Sequence, residues 1–244
     1  GACFHSCPVE AISLRIGTET RGVELPHVNP DYETNVAGVY IAGELGGMGL
    51  IKNSTEQGMM AVESIVKSGR FAKVKDRKIH KIELRKEGRL PSGEMLDVVI
   101  VGAGPAGIAA ALTAKKNGLS FEVLEQDSLG GTVFTFPRTK VVMTQPMDLP
   151  FLGKMKLYDT SKEELIEIWS KVLKENNITI KEHSKVSKVT PLPSGGFRVF
   201  VSSGDLMAKN VIIAIGRRGS PRKLGVPGEE SKKVAYRLLE PENI

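Results

Sequence analysis

Three glycines at the spacing Gly102-x-Gly104-x-x-Gly107 sit between an apolar, β-branched run and an alanine-rich stretch. Each has its own task if this segment cradles a phosphate. Gly102 permits the tight turn out of a strand, Gly104 lets a pyrophosphate approach the backbone, and Gly107 lets a helix lie close on the strand. A helix opening here offers unpaired N–H groups and the positive end of its dipole to an anion. Glu125 follows 18 residues after Gly107, at the end of the next apolar run. Its carboxylate can accept hydrogen bonds from a ribose diol and repels a 2′-phosphate, which favours FAD or NAD over NADP. A GxGxxG alone is a weak signal, and its alternative is a glycine-rich turn with no ligand. The strand before it, the helix after it and the acid beyond it raise it above that alternative.

The elements that must position these residues are legible nearby. Leu96–Val101 reads as a buried parallel strand. Residues 108–117 are alanine-rich and helix-favouring, and Gly118 stands where a C-terminal cap belongs. Residues 120–124 read as a second strand, which completes a βαβ unit of about 30 residues. Farther on, Leu165, Ile168, Trp169, Val172 and Leu173 recur at helical spacing within residues 161–175, and Ser161 with Glu164 forms a capping box. Residues 178–180 read as a strand. Residues 186–190, 197–202 and 206–208 alternate like a small antiparallel ribbon, with turns at 194–196 and 203–205. Residues 211–215 read as another buried strand, stopped by Gly216. Asp148, Asp159, Glu163 and Glu164 read as turn or cap residues, Met59 and Met60 as core packing, and the isolated His27, His80 and His183 as surface or structural side chains.

The 244 residues suit one large domain or two small ones. With 41% hydrophobic and 25% charged residues, a mostly disordered chain is disfavoured. No apolar run reaches the length of a membrane span, and the first residues lack the pattern of a signal peptide. Two cysteines make no disulfide scaffold, so a cytoplasmic setting is expected. The net charge of +6 raises nucleic acid as a partner. Against it stand an aromatic content of 5% and the lack of any nucleic-acid module. Much of the excess lies in the run 73–86, which reads as a solvated linker. Basic residues elsewhere suit an anionic dinucleotide. No GxSxG elbow or HExxH occurs, so hydrolase and zinc-protease readings are dropped.

On these motifs, residues 97–244 resemble the first FAD-binding half of the thioredoxin-reductase-like, pyridine nucleotide-disulfide oxidoreductase family. The opening VVIVGAGPAGIAAALTAKKNG is typical of it. The resemblance adds Pro105 and Ala106 to the phosphate loop and Gln126 beside Glu125. It makes Leu129-Gly130-Gly131-Thr132 the flavin-side loop, with Gly131 and Thr132 at the cofactor. Residues 213–219 resemble the second glycine motif, where Ala214 and Gly216 pass the FAD, and the backbone at Val186 belongs near adenine. Residues 224–229 look like the segment leading into an NADPH domain. The stretch 134–137, with Thr144, is nearer to the bacillithiol-disulfide-reductase-like branch. Upstream, residues 35–44 resemble the family's last FAD motif, with Glu44 in place of the commoner Asp. This implies that Gly43 and Glu44 meet the phosphate–ribityl region. Residues 53–58 match the helix that points at the flavin ring, with Gln57 and Gly58 on the pyrimidine side.

The family places that last motif after the NADPH domain; here it comes first. Four regions are therefore expected: a ferredoxin-like remnant at 1–19, a C-terminal-type half of an FAD-binding domain at 20–70, a charged linker at 71–95, and an N-terminal-type half at 96–244. Cys3 and Cys7 with Pro8 resemble the end of a bacterial ferredoxin motif. A cluster needs four thiolates, so the alternatives are a zinc site with His5 or free thiols; free thiols are favoured and no metal site is expected. Two organisations fit, a cut from a longer fusion and a permuted FAD domain whose halves close into one fold, and they can coexist.

The expected fold class is α/β: an FAD/NAD(P)-binding, Rossmann-like three-layer fold with a parallel sheet and a small antiparallel ribbon, open to permutation. No second GxGxxG stands in a βαβ context, and no CxxC pair occurs. The resemblance then implies the FAD-binding portion of an NAD(P)H-dependent flavoprotein oxidoreductase. NAD(P)H would bind outside this chain, as would an Fe–S or disulfide acceptor. A ferredoxin-like module or a disulfide substrate are the expected partners, a homodimer is allowed, and nucleic acid and membrane are not expected. No catalytic residue is assigned. The rival is a non-catalytic module holding FAD, NAD or ADP, or a fragment with an empty site.

Overall fold

The computed structural model describes residues 26–47, 49–70, 95–137, 140–156, 158–217, 224–231 and 233–234. The ferredoxin-like stretch with Cys3, His5 and Cys7, the charged run 73–86 with His80, and the end of the second glycine motif lie outside the described residues. The strands are β1 (Val39–Ile41), β2 (Leu96–Val101), β3 (Phe121–Leu124), β4 (Val142–Met143), β5 (Met147–Leu149), β6 (Gly153–Met155), β7 (Asp159–Thr160), β8 (Ile180–Lys181), β9 (Val186–Pro191), β10 (Phe197–Val201) and β11 (Leu206–Ile213). The helices are α1 (Ile51–Ser68), α2 (Pro105–Lys116) and α3 (Lys162–Glu175).

Five strands run parallel in the order β8-β3-β2-β11-β1. The long strand β11 gives one edge to β2. Its other edge is shared: Leu206–Ala208 pair antiparallel with β10, which leads to β9, and Val211–Ile213 pair parallel with β1. The upstream segment is thus a strand of the same sheet as the downstream one.

Alternation along the strands divides the core. Tyr40, Val98, Ile100, Val123 and Ile212 face the helices. Val99, Leu124 and Val211 face the other way, against Phe197, Val199 and Val201 of the β9–β10–β11 ribbon. A sheet covered on both faces needs apolar residues at successive positions, which is why Leu96–Val101 reads as one apolar run. Helix α2 is buried almost throughout its first three turns, and small alanines let α1 and the sheet approach it from two sides. On α3, Leu165, Trp169, Val172 and Leu173 are buried as their spacing predicted.

Several expectations shift in detail. Helix α2 begins at Pro105, three residues before the alanine-rich run, because proline fixes a helical φ at the first position and has no N–H to lose. The expected strands at 206–208 and 211–215 merge into β11, and the strand expected at 178–180 is the pair Ile180–Lys181. The capping box of α3 is half formed. Ser161 Oγ accepts from the Glu164 N–H at 3.1 Å, while the Glu164 carboxylate accepts from Thr160 Oγ1 instead of reaching back. Asp148 lies in the short hairpin β5–β6 and Asp159 in the antiparallel pair β4–β7 that encloses it, not in turns; two or three residues are too few to show alternation. Glu163 and Glu164 occupy the first turn of α3. Met59 packs on the core, whereas Met60 is exposed and its sulfur accepts from the Tyr32 hydroxyl. Among the described residues, no helix is long and apolar enough to cross a membrane.

Candidate functional site

The carboxyl ends of the five parallel strands open onto one cleft of about 780 Å³. Gly43 and Glu44 enter it beyond β1, Ala214 and Gly216 beyond β11, Gly102 and Gly104 beyond β2, Glu125 beyond β3, and Ser184 and Val186 beyond β8. At about 4.8 Å per strand, that row is about 19 Å long, the reach of two joined nucleotides and more than one needs. The chain leaves β2 for β3 on one side, and β11 lies on the other, so the cleft sits at the topological switch point where open α/β sheets bind ligands.

The centre of the cleft is the loop between β2 and α2. Gly102 has φ +104° and packs so closely that a Cβ there would stand 2.4 Å from the Ala214 carbonyl oxygen. Gly104, the N-cap of α2, has extended backbone, and nothing lies within 4 Å of where its Cβ would be. The space a side chain would fill is open. The first intrahelical hydrogen bond of α2 runs from Ile108 N–H to the Gly104 carbonyl at 2.9 Å, which leaves the Ala106 and Gly107 N–H groups without helical acceptors. No side chain caps this end, and no acid stands in its first turn.

Glu125 is 6% exposed. One carboxylate oxygen accepts the Ala103 N–H at 2.7 Å and the other accepts the Asp127 N–H at 2.9 Å. It therefore ties the phosphate loop to the loop after β3. Each oxygen keeps further acceptor capacity, which is what a ribose diol requires. Gly130 donates to the Ala103 carbonyl at 2.9 Å and so anchors the loop carrying Gly131 and Thr132 to the same phosphate loop.

The upstream segment forms the opposite wall. Helix α1 also starts without a side-chain cap and without an acid in its first turn, and Leu50, Ile51 and Ser54 line the cleft. Helix α3, which lies outside the cleft, has a serine cap and two glutamates in its first turn. The two bare N-termini thus face the same cleft, where an anion can complete them. Gln57 turns back to accept the Gly43 N–H through Oε1 at 2.8 Å and holds the turn after β1 from behind. Gly58 stands where α1 crosses α2; a Cβ there would lie 2.1 Å from the Ala106 carbonyl oxygen.

All the residues expected at the cofactor line the cleft except Gly107, Gln57 and Gly58. These three stand in its supporting layer, with Gly107 against the Gly102 carbonyl. Pro105, Ala106, Gln126, Gly131 and Thr132 are at the cleft wall. Ser54, Asp127, Thr135, Phe136, Ser184 and Arg217 line it too, none of them assigned to the cofactor from the sequence, although Ser54, Thr135, Phe136 and Arg217 fall within the motifs at 53–58, 134–137 and 213–219. Two signals pointed to some of them: Arg217 follows Gly216 directly, and Asp127 lies two residues beyond Glu125. Ser184 carries no local signal; its N–H bonds the Glu125 carbonyl at 2.8 Å through the fold. Among the described lining residues, Arg217 is the only cation, against Glu44, Glu125 and Asp127. A diphosphate here must draw its countercharge mainly from backbone N–H groups and helix ends. Among the described residues no cluster of His, Cys, Asp or Glu could hold a metal ion.

Fold and cleft together define a Rossmann-like fold of the dinucleotide-binding type. Residues 99–243 match the family model "Pyridine nucleotide-disulphide oxidoreductase", and the chain belongs to that family. Relatives include a ferredoxin–NADP reductase of Ignicoccus hospitalis, 31% identical over 150 residues, a match covering 60% of this chain and 45% of that protein. A component of the alkyl hydroperoxide reductase of Pseudomonas aeruginosa is 29% identical over 204 residues, covering 82% of this chain and 33% of the relative. A thioredoxin reductase of Ureaplasma parvum is 31% identical over 157 residues, covering 59% and 42%. The chain thus spans less than half the length of these relatives. Among solved structures, bacillithiol disulfide reductase of Bacillus cereus matches with a TM-score of 0.49 and 23% identity, over 59% of this chain and 47% of that one. Thioredoxin reductase of Streptococcus pyogenes matches with a TM-score of 0.40 and 31% identity, over 56% and 39%.

Proposed function

We propose that this chain is the FAD-binding portion of an NAD(P)H-dependent flavoprotein oxidoreductase, and that residues 20–70 and 96–244 are the two halves of one FAD-binding domain joined in permuted order. The observation that carries the reading is the single cleft that crosses five strand ends and takes walls from both halves. The residues fit the cofactor. The bare N-terminus of α2 and the open space at Gly104 suit the diphosphate, Glu125 suits the adenosine ribose, and Val186 and Ser184, which line the cleft beyond β8, suit the adenine. Glu44, Gly131, Thr132 and the N-terminus of α1 suit the ribityl chain and the flavin ring.

When bound, FAD supplies hydride and electron-transfer chemistry. The residues of this chain bind and orient it, and the two helix N-termini favour negative charge on its phosphates and ring. NAD(P)H as donor, and an Fe–S module or a disulfide as acceptor, would meet it through parts of a longer protein or through a partner. The ferredoxin–NADP reductase and thioredoxin reductase relatives support those two acceptor classes.

Comparison of ligands tests the reading. In calorimetric or fluorescence titrations FAD should bind at least about 100-fold more tightly than FMN, because FMN forgoes the contacts at Glu125, Ser184 and Val186. Equal affinity for FAD and FMN would show that the adenosine side is not used.

A further inference from the structure

We propose that residues 26–70 are a separable docking unit: surface complementarity with residues 95–217 assembles the cleft, and the covalent connection through 71–94 is dispensable. This goes beyond the flavin reading and rests on it only where FAD serves as a probe.

One side chain bridges Arg70, just before the connection, and Asp97, just after it. The side-chain amide nitrogen of Asn210 donates to the Arg70 carbonyl at 2.7 Å and to the Asp97 carbonyl at 3.0 Å. Asn210 is wholly buried on β11, and among the described residues its side-chain nitrogen is satisfied by the two bonds it donates. A tether whose ends are already adjacent raises the local concentration of the unit and adds little to its placement.

The unit is braced from within. The Arg70 guanidinium pairs with the Glu33 carboxylate, which also accepts the Gly38 N–H at 2.7 Å. Gln57, in the second turn of α1, accepts the Gly43 N–H and ties the helix to the turn after β1. Its docking face is continuous. Val211 N–H donates to Gly38 at 2.9 Å and Ala42 N–H to Ile213 at 3.1 Å, so β1 is bonded to β11 at both ends. Beside that seam Ala61, Val62 and Ile65 are wholly buried, and Gly58 lies on the Ala106 carbonyl. That last contact falls in the first turn of α2, so docking and the cleft share a residue, Ala106. A ligand touching both walls strengthens docking by linkage.

The test uses the full chain with a protease site inserted within 71–94, cut after purification. The two fragments should co-elute in gel filtration at micromolar concentration without FAD, and the urea midpoint for their separation should rise when FAD is added. Gly58→Leu should make the cut fragments separate, and Asn210→Ala should lower the urea midpoint of the cut protein. Fragments that separate after cutting, while the uncut chain stays folded, would overturn the proposal. So would cut fragments that stay together with Gly58→Leu, since the crossing would then not be the docking face. Should Gly58→Leu fail to fold, the cut wild-type chain still decides. Fragments that co-elute and take up no flavin would leave docking standing and refute the flavin reading. Flavin uptake by the uncut chain with fragments that separate would do the reverse.

Discussion

Gly102 and Gly104 belong to one motif, yet their replacement should produce opposite phenotypes. At Gly104 the backbone is extended and the space beyond it is open. The Cβ of a valine there meets no atom of the protein within 4 Å. It forfeits a tolerated N-cap, worth up to about 1 kcal/mol, and recovers about 0.4–1 kcal/mol by restricting the unfolded chain. The fold should therefore hold to within about 1 kcal/mol, a change in Tm of roughly 2–4 °C. The ligand loses more. Pushing a diphosphate away from the loop breaks charge-assisted hydrogen bonds of about 1.5–3 kcal/mol each. Loss of two weakens FAD by roughly 100- to 10,000-fold. Gly102→Val is the converse, because φ is +104° and the Ala214 carbonyl oxygen would be 2.4 Å from the new Cβ. It should unfold the protein or lower its Tm by more than about 10 °C. Thermal melts and FAD titrations of both variants read the contrast. A Gly104→Val protein that keeps wild-type FAD affinity, or that melts like Gly102→Val, would refute the placement of the phosphate at Gly104.

Other expectations follow from the same geometry. Glu125→Gln replaces one of two acceptors with a donor facing a backbone N–H, so the loop should loosen and FAD affinity should fall about 10- to 100-fold; unchanged affinity would mean that the clamp does not shape the site. Trp169→Ala on the buried face of α3 should cost about 3–5 kcal/mol and lower Tm by roughly 10 °C, and a fall under about 3 °C would place that face outside the cooperative core. The Arg70 guanidinium and the Gly38 N–H hold the Glu33 carboxyl below its ordinary range against the opposing effect of burial. A depressed carboxyl contributes stability above its unfolded value and loses it as pH falls through the folded value. Melting of wild type and Arg70→Gln between pH 7 and pH 3 should therefore converge toward the acid end. With Arg70 partly exposed the difference at neutral pH should stay under about 1 kcal/mol, and parallel curves would contradict the pairing.

The central elements were legible because their sequence signals are local and redundant. The strand before Gly102, the glycine spacing and Glu125 each need only their own neighbourhood. The spacing of Leu165 and Trp169 announced α3 in the same way. The short strand pairs β4–β7 and β5–β6 were not legible, since they are held by pairing between segments and contain no period. Gln57 shows a different limit. Its place in the helix was read through a resemblance, but its side chain answers to Gly43, and only the fold shows which polar group it meets. Ser184 and Arg217 reach the cleft because β8 and β11 end there, a fact of strand order that no single stretch of sequence states.

The visible spectrum of the purified chain after incubation with FAD and removal of unbound flavin tests the central claim most directly. A two-band flavin spectrum at close to one FAD per chain, lost when residues 26–70 are deleted, is the predicted result. A colourless protein that is folded by circular dichroism, or a truncated chain that holds FAD as well as the full one, would contradict a flavin site built from both halves.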